Sequence, residues 1–160
     1  QLLALEAMQT MKQLNFVLVF LGEETKNESN GVLSEIHSTI KKNGWDEKVL
    51  IRPFMSSVGI FYSAIDALIM ATKAETFGMV TLEAMAYGLP VVGSNLGGTP
   101  DLLDQGRFGR LFTSGNPLSL AEAMQTIQND RDTIDAVERQ KHLEQFDHQK
   151  VCKRLESFFN

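Results

Sequence analysis

Short continuous apolar runs alternate along the chain with longer stretches in which apolar residues recur every three or four positions. Leu2, Leu3, Leu5, Met8, Met11 and Leu14 share one helical face and predict a helix over 2–13. The run FVLVFL at 16–21, closed by Gly22, reads as a strand buried on both faces. Val32, Leu33, Ile36 and Ile40 predict a second helix that Gly44 stops. A short strand over 49–51 ends before Pro53; a helix over 58–65 and a strand over 67–71 follow. The next helix runs from about 80 to 87 and stops at Gly88. Then come a strand at 90–93, a loop at Gly97-Gly98, a helical turn at 100–104 and a strand at 110–112. A helix over 118–127 and two further helical stretches to 159 close the pattern.

This alternation predicts an α/β fold: a doubly wound, Rossmann-like parallel sheet with right-handed crossovers and helices on both faces. Such domains open on a strand, whereas this pattern opens on a helix, so a leading strand is expected to be missing. Ligands in this architecture sit beyond the carboxyl ends of the strands. Three loops qualify there: 22–24, 71–79 and 94–99.

At 160 residues the chain reads as one domain. With 15 Lys plus Arg against 20 Asp plus Glu, the formal charge is −5, and no dense basic block offsets it. Nucleic acid is therefore not an expected partner, and nothing points to an anionic membrane surface. The single cysteine, Cys152, excludes an intrachain disulfide and fits a reducing compartment, so the expectation is cytoplasmic. His37, His142 and His148 show no metal-ligand spacing, and no metal or other cofactor is expected. FVLVFL is too short to span a bilayer. The chain opens on the amphipathic QLLALEAMQTMKQL with no initiator Met or signal peptide, which suggests a piece of a longer protein.

The loop at 71–79 carries the unusual constellation. In ETFGMVTLE, Phe77-Gly78-Met79 immediately precedes a helix, so the amides of Met79, Val80 and Thr81 should point outward unpaired. With the helix dipole they favour an anion such as a phosphate oxygen, and Gly78 lets a ligand approach the backbone. Glu83 can accept hydrogen bonds from both hydroxyls of a ribose, and Glu75 can hold sugar hydroxyls. The combination predicts a sugar–phosphate–sugar ligand across a helix N-terminus. Acidic residues early in a helix also complement the dipole, worth about 0.3–1 kcal/mol, so physics alone leaves both readings open. A capping box does not account for Glu83, because residue 80 is Val.

Glu75 and Glu83 match the E-x7-E signature, and DALIMATKAETFGMVTLEAMAYGLPVVGSNLGG around them resembles retaining GT-B glycosyltransferases of family four (glycosyltransferase group 1). GRLF, LSLAEAM and FDHQKV are similar to that family's C-terminal order. The resemblance implies that residues 1–160 are the nucleotide-sugar-binding, C-terminal half of a GT-B fold whose N-terminal acceptor domain is absent. It implies transfer of a hexose from a nucleotide diphosphate sugar to a hydroxyl acceptor, with retained configuration and no metal, in glycan biosynthesis. Glu83 would bind the ribose, and Met55 the base through its backbone. Glu75, at the catalytic position, would hold the donor sugar with Phe77, Gly78 and Met79, and Val80 and Thr81 would meet the distal phosphate. Both carboxylates read as binding groups and not as covalent nucleophiles. An Arg and a Lys that the family supplies have no match here, and Asp101 stands where the family usually has Glu.

Two other readings stay open: a sugar-nucleotide epimerase of the same fold, which needs no acceptor, and a non-catalytic nucleotide-binding module. Asp130-Arg131-Asp132 is a D-x-D, but it lies between helical stretches and reads as a cap and solvated turn. No G-x-G-x-x-G, Walker A or G-x-S-x-G sequence is present. Phe146, Leu155, Phe158 and Phe159 are expected to dock a C-terminal helix whose apolar face is partly exposed, favouring a homodimer.

Overall fold

The computed structural model describes residues 1–23, 31–73, 75–127, 134–147 and 149. Elements follow the predicted order: α1 (Leu2–Thr10), β1 (Leu18–Leu21), α2 (Val32–Asn43), β2 (Val49–Arg52), α3 (Val58–Ala64), β3 (Leu68–Met70) and α4 (Met79–Ala86). After them come β4 (Val91–Ser94), α5 (Thr99–Leu102), β5 (Gly109–Phe112), α6 (Pro117–Thr126) and α7 (Ala136–Leu143). Single 3-10 turns sit at Asp104–Gly106 and Glu144–Phe146.

Local chemistry sets the boundaries. The α1 helix ends at Thr10, three residues short of the predicted 13, because Met11 turns to an extended conformation. Gly44 ends α2 with φ of 65°, a left-handed conformation that costs glycine little. The Asn116 side chain accepts from the amides of Leu118 and Ser119, with Pro117 at the first helical position, so α6 is capped as its sequence dictates. Asp135 caps α7 the same way through Val137 and Glu138.

Among the described residues all strand pairings are parallel, in two groups: β1 with β2, and β3-β4-β5 with β4 at the centre. A single continuous sheet is the sequence expectation. Among the described residues no ladder joins β1 to β3, so each pairs along one edge only, and most of their residues are half-buried. The central β4 is buried throughout. Its period of two sends neighbouring valines to opposite faces. Val92 joins a core built with Leu5 and Met8 of α1, Ile40 of α2 and Leu120 of α6. Val91 joins another with Tyr62 of α3, Met85 of α4, Leu103 and Phe108. Helices thus cover both faces, and the turn entering α4 leaves the carboxyl end of β3.

Of the other expectations, Cys152, His148, Asp130-Arg131-Asp132, Leu155, Phe158 and Phe159 lie outside the described residues. Phe146 packs edge-on to Phe77 and His142, with centroids 6.3 and 5.2 Å apart. No helix among the described residues is long and apolar enough to cross a membrane.

Candidate sugar-nucleotide site

Gly78 opens the site. Its φ of 78° and ψ of 53° are left-handed, which turns the chain from the β3 exit into α4. A side chain here would also press on Leu102 Cδ1, at 2.9 Å from a Cβ, and on Glu75 Cγ, at 3.2 Å. The bare backbone therefore serves both conformation and space.

The helix start uses its amides unevenly. Thr81 N donates to the Gly78 carbonyl at 2.9 Å and Leu82 N to the same oxygen at 3.2 Å. The expectation that the Thr81 amide is unpaired is thus corrected: a tight first turn engages it. The amides of Met79 and Val80 have no hydrogen-bond acceptor among the described residues, and both side chains are exposed. Two bare N–H groups at the positive end of an eight-residue helix remain available to an anion.

Each glutamate spends one oxygen inside the protein. Glu75 Oε1 accepts from the Gly78 amide at 3.2 Å, an i to i+3 bond that braces the turn. Glu83 Oε2 accepts from the Tyr62 hydroxyl of α3 at 2.8 Å. Both carboxylates are half-buried, and their second oxygens have no partner among the described residues. Because α4 begins at Met79, Glu83 stands in its second turn, not the first. Its role as simple dipole compensation weakens accordingly, since that effect fades beyond the first turn. Tyr62 is buried, and desolvation together with the Glu83 carboxylate pushes its phenol above the ordinary value of 10.0.

A second loop supports the first. The Gly98 amide donates to the Glu75 carbonyl at 2.9 Å. A Cβ on Gly97, whose φ is 69°, would collide with that carbonyl, and one on Gly98 would stand 2.7 Å from the Thr76 carbonyl. The paired glycines thus let the segment after β4 lie flat against Glu75 and Thr76. Sequence reasoning placed Gly97-Gly98 in a loop and missed this role; two adjacent glycines after a strand were the available signal. It also gave Tyr62 no role, and nothing in its helical position singles it out.

Glu75, Phe77, Gly78, Met79, Val80 and Thr81 are therefore brought together, and Glu83 is tied to them through α4. Phe77 is exposed and meets Phe146. Met55 is half-buried between β2 and α3, and no hydrogen bond or ring contact ties it to the others among the described residues. Asp101 is exposed and accepts from Gln105 Nε2 at 3.2 Å. Thr81 and Thr99 are fully buried, and their hydroxyls have no partner among the described residues. The Thr81 oxygen lies 3.5 Å from where a Gly78 Cβ would stand, so it faces the inner side of this turn. Open grooves of about 440 and 520 Å³ flank α7; the first touches Leu82 and Ala86 of α4, and neither includes Glu75, Gly78 or Glu83.

Parallel strands with helices on both faces, and a glycine-opened helix at a strand's carboxyl end, are the architecture of GT-B glycosyltransferases. The chain belongs to the family Glycosyl transferases group 1, whose model matches residues 1–130. It is 34% identical over 101 residues to D-inositol 3-phosphate glycosyltransferase of Paenarthrobacter aurescens (strain TC1), covering 61% of this chain and 25% of that protein. With sulfoquinovosyl transferase SQD2 of Arabidopsis thaliana the identity is 37% over 79 residues, 48% of this chain and 16% of that protein. Anabaena Alr3699/HepE, solved with UDP and with UDP-glucose, superposes with a TM-score of 0.82 at 26% identity, covering 98% of this chain and 45% of the other. The chain thus spans less than half the length of these relatives.

Proposed function

We propose that this chain is the donor-binding domain of a retaining hexosyltransferase, with the acceptor domain elsewhere in the protein. The observation that carries this reading is the Gly78 turn: two bare amides at a helix start, flanked by two carboxylates that each keep one oxygen free. The amides of Met79 and Val80 face the distal phosphate. Glu83 takes the ribose hydroxyls. Glu75 takes the donor sugar, which lies along Phe77, Gly78 and Met79, while Thr81 lines the phosphate side and Met55 the base. Sugar–nucleotide bond breaking leaves negative charge on the diphosphate and positive character on the anomeric carbon. Fixed N–H dipoles stabilise the first without a divalent ion, and the Glu75 carboxylate sits near the second. UDP and UDP-glucose bound to the Anabaena relative support a nucleotide sugar as the ligand. The single cysteine, which fits a reducing compartment, supports reading the protein as a cytoplasmic enzyme of glycan assembly.

Calorimetric titration with UDP and UDP-glucose, with and without a divalent metal chelator, tests the reading. Weak binding is expected, unchanged by the chelator and about tenfold weaker in Glu83→Ala, the loss of a hydrogen bond to a charged group. An unaltered affinity in that variant removes the ribose assignment. Product formed from UDP-glucose by the whole protein with no acceptor present would favour an epimerase instead.

A further inference from the structure

The Glu83 carboxylate accepts a hydrogen bond, and the group that donates it comes from another helix. The Tyr62 hydroxyl donates to Glu83 Oε2 at 2.8 Å, and Tyr62 is only 5% exposed. Its ring is fixed in turn. It belongs to the core with Ala84, Met85, Leu89 and Val91, and it packs on Tyr87 with centroids 5.3 Å apart. Tyr87 lies so close to Gly59 of α3 that any side chain at 59 would strike its hydroxyl. Glycine at 59 thus lets Tyr87 close over the α3–α4 contact, and the aromatic pair presents one buried donor to one carboxylate oxygen.

We infer that Tyr62 is a positioning residue for ribose recognition: by occupying Oε2 it aims Oε1 of Glu83 at the ribose hydroxyls and sets preference for ribonucleotides. The inference rests on the proposed role of Glu83 and goes beyond it, because a residue with no ligand contact sets the discrimination. A side chain held in its bound rotamer loses less freedom when the ligand arrives. A phenol bonded to Oε2 also fixes the plane of the carboxylate, and so the directions in which the two lone pairs of Oε1 accept from the ribose hydroxyls.

The test compares UDP with 2′,3′-dideoxy-UDP by titration. Wild-type protein should prefer UDP roughly tenfold, as expected when hydrogen bonds to a charged acceptor are lost. Tyr62→Phe keeps the ring and should shrink that preference to about two- to threefold without changing affinity for the dideoxy analogue. Tyr87→Phe, which keeps the Tyr62 hydroxyl, should retain the full preference. If wild type discriminates and Tyr62→Phe discriminates equally, the positioning role is overturned while the ribose site stands. If wild type binds both nucleotides equally, or neither, the Glu83 reading fails and this inference with it. The chain has 2 tyrosines, so 3-fluorotyrosine labelling gives a second readout that does not depend on the Phe variant folding. The Tyr62 fluorine resonance should move with UDP and stay in place with the dideoxy analogue; a resonance that ignores both overturns the proposal.

Discussion

Alanine at position 97 separates the two reasons for glycine there, left-handed backbone and close packing. Gly97 has φ of 69°, and a Cβ would collide with the Glu75 carbonyl while standing 3.1 Å from Glu75 N. Gly44 is the matched control, with φ of 65° and nothing within 4 Å of its Cβ. At Gly44 the cost is conformational, about 1–2 kcal/mol, partly offset by about 0.4–1 kcal/mol from the stiffer unfolded chain. At Gly97 the same cost applies, and the neighbour that must yield is backbone, adding overpacking of about 1–3 kcal/mol. Gly97→Ala should therefore destabilise by about 2–4 kcal/mol against about 1 kcal/mol for Gly44→Ala. Displacing Glu75 also breaks its bond from Gly98 N and unsettles the brace to Gly78, so UDP-glucose affinity should fall as well. Urea unfolding of both variants, followed by titration of whatever folds, reads both effects. Equal destabilisation of the two variants within about 0.5 kcal/mol, with UDP-glucose affinity unchanged in Gly97→Ala, refutes the packing role.

Two further predictions concern Tyr62 of α3 and His142 of α7. The folded state holds the Tyr62 proton more tightly than the unfolded state, whose phenol titrates near 10.0. Its contribution to stability is whole below that pH and declines as pH rises above it; phenolate absorbance should show Tyr62 ionising only as the protein unfolds. Ionisation of Tyr62 in the folded protein near pH 10.0 contradicts this. His142 is buried, its Nε2 stands 2.8 Å from the Leu102 carbonyl and its ring lies 4.8 Å from that of Phe108. His142→Ala should cost about 2–4 kcal/mol in thermal unfolding, through the cavity and the orphaned carbonyl; a cost below about 1 kcal/mol would show the ring to be dispensable.

Periodicity made most of the fold legible. The doublet Val91-Val92 announced a strand, and Gly44 announced a helix end, because those signals are local. The break between β1 and β3 was less legible, since strand pairing is decided between segments far apart in sequence. The position of the Gly78 turn could be read because the glycine lies between a strand exit and an apolar helical pattern, although its left-handed conformation went unread. The state of its amides could not. Whether Thr81 N bonds to Gly78 O depends on how tightly the first turn winds, and spacing does not encode that. Tyr62 and the Gly97-Gly98 platform escaped for a related reason: each acts on a partner distant in sequence that only the folded chain supplies.

The most direct test of the central claim is nitrogen–proton NMR of the amides while UDP is added in the presence of a metal chelator. The Met79 and Val80 resonances should shift most, in proportion to saturation, with Gly78 following and the Thr81 amide moving less because it already donates within the turn. Shifts confined to the grooves around α7, with Met79 and Val80 unmoved at saturation, contradict the claim that this helix end holds the diphosphate.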